Sequence, residues 1–379
     1  MTREEAKELA LSKVDSANCL VLQLGTGFGK TAIAIACVNK ICDRLYKNLE
    51  EATDVLILVS KKVHKDVWKK EMDKWGIKTD NIVIECYESL RKYENAYFDV
   101  VICDEAQHLS ETRQELLKTL HISELLIILS ATLKKELCWF FKANCRRTEF
   151  IKCDIKEAIE DDVLPEPTIY LLPLKLDNSI CAYKYDKFKK TIIGTQLAYY
   201  NNMCGLIDFY KRKYMTSKRD FMKNLWLKAC TDRLKWLSEQ KESVVLSLLD
   251  KLKNYRTLTF CSSIDQTERL GKFCINSKNK KSIEYLDMFN NKKIKHITSC
   301  NILNESVNLV DCRIGIFCNL NSSDIIVKQR NGRLLRHKKP IIIVPYYEHT
   351  REAELVDKII ENYNEDRVIT IHNLNEIKL

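Results

Sequence analysis

Glycine and proline are scarce in this chain, with 9 and 5 in 379 residues. So few breakers exclude a collagen-like, low-complexity or linker-rich chain. No run of about 20 uncharged apolar residues occurs, so no membrane-spanning helix and no membrane partner are expected. Neither a C-x-x-C pair nor a Cys/His cluster at zinc spacing is present, although the chain has 16 cysteines. Scattered through apolar strand-like runs, as at Cys103, Cys261 and Cys318, they read as reduced, buried small hydrophobes of a cytosolic protein. Met1 to Leu9 is charged and helix-prone and has no apolar signal core, so export is not expected.

What is present is the composition of a globular protein, 45% hydrophobic and 30% charged, long enough for two or three domains. The formal net charge of +10 suits a polyanionic partner such as nucleic acid.

Three of the nine glycines, Gly25, Gly27 and Gly29, fall in one stretch, Leu24-Gly-Thr-Gly-Phe-Gly-Lys-Thr31. The apolar run Cys19–Leu24 before it reads as a buried strand, and Thr31–Asn39 after it as a helix. A strand-to-helix turn rich in glycine lets backbone N–H groups converge on phosphates at a helix N-terminus. Gly25, Thr26, Gly27, Phe28 and Gly29 form this candidate cradle. Lys30 is placed to reach the β and γ phosphates of a nucleoside triphosphate, and Thr31 to offer its hydroxyl to Mg²⁺.

About 75 residues on, the apolar run Phe98–Cys103 ends in Asp104-Glu-Ala-Gln-His108. A strand-terminal aspartate holds Mg²⁺ beside such a loop, and Glu105 is placed to position and activate the attacking water.

These residues resemble the motif series of superfamily 2 helicases and translocases. The series continues with Ser130-Ala-Thr132 and with Gln329-Arg-Asn-Gly-Arg-Leu-Leu-Arg336, in family order from residue 24 to 336. Leu24 stands where the usual phosphate loop opens with glycine, a spelling this group shares. Weaker similarities are Val55–Lys61, Tyr87–Leu90, Leu258–Ser263, and Ile297–Cys300 with Leu303–Leu309, where Ser306 replaces the customary glycine. The glutamine that usually reads adenine upstream has no counterpart in residues 1–18, so ATP as the nucleotide follows from the resemblance alone.

The resemblance implies an α/β fold of two tandem RecA-like lobes with parallel sheets and an ATP site in the cleft between them. Residues 1–165 are the first lobe and 251–379 the second. Residues 166–250 are a connecting, largely helical basic segment, reached through the stretch Leu164–Pro173 with its three prolines, in which Lys and Arg interleave with Tyr and Phe. The resemblance also implies roles. Arg333 and Arg336 act as arginine fingers, and Gln329 contacts the γ-phosphate or its water. Ser60, Lys61, Ser89, Ser262, Ser263 and Thr298 grip a nucleic-acid backbone, and Ser130 and Thr132 couple nucleotide state to that track. The implied function is an ATP- and Mg²⁺-dependent helicase or translocase, on DNA in preference to RNA and without sequence reading. Protein partners would supply unwinding or recruitment. The alternatives are an ATP-gated nucleic-acid clamp or subunit of a larger complex, and an RNA helicase. The compact look is similar to members from bacteria and their phages, which places the protein in the cytoplasm, the host's if phage-encoded.

Overall fold

The computed structural model describes residues 1–379 except Thr26, Glu50, Glu51, 187–188, 301–308, 321–336 and Asn362. The chain divides into two compact units, Met1–Leu164 and Pro165–Leu379.

The first unit is built on six parallel strands: β1 (Cys19–Leu24), β2 (Val55–Val59), β3 (Ile82–Cys86), β4 (Tyr97–Asp104), β5 (His121–Ser130) and β6 (Thr148–Cys153), in the order β3-β2-β4-β5-β1-β6. Helices α1 (Arg3–Lys13), α2 (Lys30–Leu49), α3 (Lys62–Trp75), α4 (Glu111–Lys118), α5 (Lys135–Asn144) and α6 (Ile155–Glu160) connect them. Val21, Leu58, Cys103 and Ile128 share one sheet face and pack with Leu137 and Phe141 of α5. Leu20, Leu22, Ile57, Ile102 and Ile127, on the opposite face, are equally buried. Burial on both faces is why these strands are continuous apolar runs rather than alternating ones. Strand β6 has a mixed burial pattern at the sheet edge, and no apolar run announces it.

The second unit carries seven parallel strands. They are β7 (Thr168–Leu174), β10 (Thr257–Phe260), β11 (Cys274–Ile275), β12 (His296–Ser299), β13 (Ile314–Phe317), β14 (Ile341–Tyr347) and β15 (Val368–Thr370), in the order β11-β12-β10-β13-β14-β7-β15. Its helices are α7 (Gln196–Ser217), α8 (Asp220–Gln240), α9 (Glu242–Lys251), α10 (Ile264–Leu270), α11 (Ser282–Asn290) and α12 (Arg351–Ile360). Helix α9 packs Val245 and Leu248 against Tyr170, Ile314, Ile316 and Ile343 of the sheet.

The proline-marked stretch departs from a plain connection. Strand β7, with Pro173 near its end, lies inside the second sheet between β14 and β15. The part expected to be helical is helical only from Gln196. Before it, β8 (Cys181–Asp186) and β9 (Lys189–Thr195) form an antiparallel hairpin. Within it Ala182 is buried in a core with Tyr200, Trp236, Leu237 and Tyr347. No helix among the described residues is long and apolar enough to cross a membrane. Of the 16 cysteines, 11 are buried, and none forms a disulfide among the described residues.

Candidate functional site

Parallel topology places β4, β5 and β1 side by side, so their carboxyl ends lie on one edge. In register, Gln23 of β1 faces Ser130 of β5, and Asp104 of β4 faces Leu129. Two strand spacings, about 10 Å, therefore separate the end of β1 from the end of β4. Residues far apart in sequence meet here for a reason of strand order alone.

The loop after β1 turns through two glycines in the left-handed region, Gly27 at φ 89° and Gly29 at φ 98°. A side chain at either position would be strained, which accounts for glycine there. The Phe28 N–H donates to the Gly25 carbonyl at 3.2 Å, and the Phe28 ring is buried. Lys30 opens α2 and turns its Nζ back onto the carbonyls of Leu24 and Gly25, at 2.9 and 3.4 Å. Thr31 stands half-buried in the first turn of the same helix. Thr26 lies outside the described residues. Sequence reasoning missed Arg3: its Nη2 donates to the Gly27 carbonyl at 3.2 Å and to that of Val163 at 3.4 Å, so α1 braces the loop from behind.

Asp104 closes β4. Its Oδ2 accepts from the Trp68 indole at 2.9 Å, and its Oδ1 from the Glu105 N–H at 3.0 Å. Burial, and then the neighbouring Glu105 charge, raise the Asp104 carboxyl to about 6, against the pull of the Trp68 hydrogen bond and of Lys30. A desolvated carboxylate of this kind gains most from an adjacent cation, so Asp104 fits the Mg²⁺ position. Among the described residues no cluster of three or more His, Cys, Asp or Glu could hold a metal. An ion at Asp104 would accordingly take most of its ligands from phosphate oxygens and water, as Mg²⁺ does.

Glu105 has φ 51° and ψ 53°, a left-handed backbone that costs a non-glycine residue about 1 kcal/mol or more. From it runs a chain of hydrogen bonds. Gln107 Nε2 donates to Glu105 Oε2 at 2.8 Å, and Ser130 Oγ donates toward Gln107 Oε1 at 2.6 Å. The same Ser130 Oγ lies 2.7 Å from the Thr132 carbonyl and accepts from the Thr132 N–H at 3.1 Å. Ser130 is fully buried. The Thr132 hydroxyl is buried and has no hydrogen-bond partner among the described residues. A second unforeseen support is the buried Tyr87, whose hydroxyl donates to the Asp104 carbonyl at 2.8 Å. Neither Trp68 nor Tyr87 carries a local signal for this role, since each reaches β4 from another element.

The six candidate track residues fall in different settings. Ser60 Oγ lies 3.1 Å from His64 Nδ1, Lys61 is exposed at the cap of α3, and Ser89 is half-buried in the 3₁₀ turn Tyr87–Tyr93. Ser262 donates from its hydroxyl and its N–H to Gln266 Oε1, at 2.9 and 2.8 Å, while Ser263 caps α10 by accepting from the Gln266 N–H. Thr298 differs from the rest: it is fully buried and its hydroxyl donates to the Thr267 carbonyl at 3.0 Å. That side chain supports β12 and offers no surface to a phosphate. Gln329, Arg333, Arg336 and residues 303–308 lie outside the described residues.

Two parallel-sheet lobes in tandem, the first with a glycine loop and a strand-terminal acidic pair on one edge, define the class: a tandem RecA-like fold. Residues 240–338 match the helicase conserved C-terminal domain. No curated protein matches the chain by sequence. Among solved structures, S. cerevisiae Dbp5 bound to RNA and ADP-BeF3 is similar over 97% of this chain and 89% of its own, at 12% identity and TM-score 0.59. A fragment of a putative HsdR subunit of a type I restriction enzyme from Vibrio vulnificus is similar over 98% and 67%, at 15% identity and TM-score 0.60. The ATP-dependent type ISP restriction-modification enzyme LlaBIII bound to DNA is similar over 99% of this chain and 32% of its own, at 13% identity and TM-score 0.58. The fold is the one these solved structures share, and residues 240–338 of the second unit match the helicase conserved C-terminal domain.

Proposed function

We propose that this protein is a nucleic-acid-stimulated ATPase of the helicase or translocase type, acting on DNA in preference to RNA. The observation that carries the proposal is the hydrogen-bonded run Glu105–Gln107–Ser130–Thr132, which ties the candidate water-activating carboxylate to the segment after β5. A structural acidic pair closing a strand has no need of such a link.

The roles follow the motif resemblance. The N–H groups of the Gly25–Gly29 loop and the N-terminus of α2 hold phosphates. Lys30 leaves the carbonyls of Leu24 and Gly25 to meet the β and γ phosphates. Thr31 and Asp104 hold Mg²⁺, which when bound neutralises charge on the transferring phosphoryl group. Glu105 orients the attacking water and takes its proton. Gln329, Arg333 and Arg336 of the second lobe stabilise the developing negative charge, a contribution of about 10³-fold or more in rate for such arginines. Ser60, Lys61, Ser89, Ser262 and Ser263 grip phosphates of the track, without reading bases. The DNA preference is supported by the D-E-A-Q spelling at 104–107 alone, because the similar structures include both DNA-bound and RNA-bound proteins.

The test is ATP turnover by the purified chain with no nucleic acid, single-stranded DNA, duplex DNA, branched DNA and RNA, with Lys30→Ala and Glu105→Gln as controls. Many-fold stimulation by DNA, abolished in both variants, is the expected result. Stimulation by RNA alone replaces DNA as the substrate. Nucleotide binding with no stimulated turnover overturns the motor in favour of an ATP-gated clamp.

A further inference from the structure

The positive charge of this protein is concentrated in one place. Residues 181–240 hold 13 Lys and Arg against 5 Asp and Glu, eight of the chain's ten net charges. Helices α7 and α8 form an antiparallel hairpin, turning at Lys218 with φ 52°. Its base is fixed to the second unit. Trp236 Nε1 and Gln240 Nε2 donate to the Tyr183 carbonyl at 3.1 and 2.8 Å, and the Arg351 N–H donates to the Tyr200 hydroxyl at 3.0 Å.

The far end is different. Between Ile207 and Ala229 no residue is buried, which leaves about 15 Å of bare two-helix rod. This end carries seven Lys and Arg, all exposed, against two Asp, and none of the seven pairs with a carboxylate among the described residues. Phe209 is 47% exposed with Lys213 Nζ 5.7 Å from its ring, and Phe221 is 66% exposed between Arg219 and Lys223 in the sequence. Uncompensated cations beside exposed aromatic rings are the chemistry that holds a single-stranded nucleic acid: ammonium and guanidinium groups for the phosphates, rings for the bases. A membrane surface does not fit. The apolar side chains are spread round both helices instead of gathered on one face, as an interfacial helix requires.

We propose that the α7–α8 tip is a second nucleic-acid contact, distinct from the backbone track, and that it takes a single strand. The inference rests on the nucleic-acid reading given above. It also gives the strand a lever. In the last turn of helix α8 the Ser238 hydroxyl donates to Gln266 Oε1 at 2.9 Å, and that oxygen also holds Ser262. A load on the tip is thereby carried to a track residue.

The experiment uses the full chain with fluorescein-labelled single-stranded and duplex oligonucleotides, read by anisotropy over a salt series. A second arm cross-links an iodouracil-containing single strand and maps the peptides. The variants are the triple Lys211→Glu, Arg212→Glu, Lys213→Glu and the double Phe209→Ala, Phe221→Ala, all at exposed positions. The triple variant is expected to weaken single-strand binding about tenfold or more and to lower its salt slope by about 2. The double variant is expected to weaken single-strand binding several-fold, with duplex binding kept and cross-links at 209–221 lost. Turnover without nucleic acid is expected to be unchanged in both. Wild-type single-strand affinity in both variants, a loss confined to duplex, or cross-links only outside the hairpin would each overturn the proposal. Nucleic-acid-stimulated turnover that persists in both variants at wild-type affinity sinks the tip and leaves the motor standing. Tip cross-links without stimulated turnover do the reverse.

Discussion

Trp68 on α3 and Asp104 on β4 are joined by an indole-to-carboxylate hydrogen bond of 2.9 Å, and Trp68 is almost wholly buried. One carboxylate oxygen is thereby aimed from inside the protein. With the proposed Mg²⁺ role for Asp104, Trp68→Phe keeps most of the packing and removes the donor. The half-saturating Mg²⁺ concentration for ATP turnover is expected to rise about 3- to 10-fold, from loss of a charge-assisted bond. The melting temperature is expected to fall by a few degrees. An unchanged Mg²⁺ dependence in a folded variant would show that Trp68 only packs.

Glu105 sits on a left-handed backbone with its side chain held by Gln107. Glu105→Gln preserves shape and removes the base. Turnover is expected to fall about 10²- to 10⁴-fold with nucleotide affinity near wild type. Equilibrium binding of a fluorescent ATP analogue beside steady-state hydrolysis separates the two effects. Equal losses in both would contradict the assigned role.

Ser130 connects Gln107 to Thr132. Ser130→Ala leaves Gln107 Oε1 without that donor, at a cost of about 1–2 kcal/mol in stability. If the run couples site to track, turnover without nucleic acid should stay within about threefold while stimulation by nucleic acid drops most of the way to none. Preserved stimulation would remove Ser130 from the coupling.

Lys241 and Glu352 form an ion pair with no exposed side-chain surface on either partner; Lys241 also donates to the Pro345 carbonyl, and Glu352 accepts from the Tyr347 N–H. Lys241→Met strands a buried carboxylate and is expected to destabilise the second unit by about 3–5 kcal/mol. Adding Glu352→Leu should restore only part of this, because the Pro345 carbonyl and the Tyr347 N–H still lack partners. Chemical denaturation of the single and double variants measures both numbers. Full recovery in the double variant would contradict this account.

His296 is packed against Gly271 and lies 3.2 Å from Thr259 Oγ1, and burial lowers its pKa to about 4. The folded form holds the ring neutral, whereas the unfolded chain protonates it near 6.5. Its contribution to stability is therefore complete above about pH 6.5 and is lost as pH falls toward 4. The second unit is expected to be about 2 kcal/mol less stable at pH 5 than at pH 7 from this group. Replacing His296 with Asn should flatten the difference; an equal pH dependence in the variant would assign it elsewhere.

The strands that carry the site were legible because each is an apolar run ending in its own motif. Cys19–Leu24 precedes the glycine loop, and Tyr97–Asp104 ends on the acidic pair. Two edge strands were not legible: β6 has a mixed burial pattern, and β11 has only two residues. Strand β7 was obscured by Pro165 and Pro167 before it and by Pro173 near its end, where a strand tolerates proline. Thr298 was misplaced in the track because a hydroxyl at a strand end looks the same in sequence whether it faces solvent or, as here, the Thr267 carbonyl.

The sequence alone placed the groups at the strand ends: Gly27, Gly29 and Lys30 after β1, the carboxylates of Asp104 and Glu105 at the end of β4, and their order along the chain. These are contiguous strings whose function depends on local backbone shape. Only the tertiary structure decided what holds them. Arg3 reaches Gly27 across 24 residues, Tyr87 reaches the Asp104 carbonyl across 17, and Trp68 reaches its carboxylate across 36. Hydrogen bonds of this kind depend on which strands lie side by side, and strand order is set by packing that no single stretch of sequence contains.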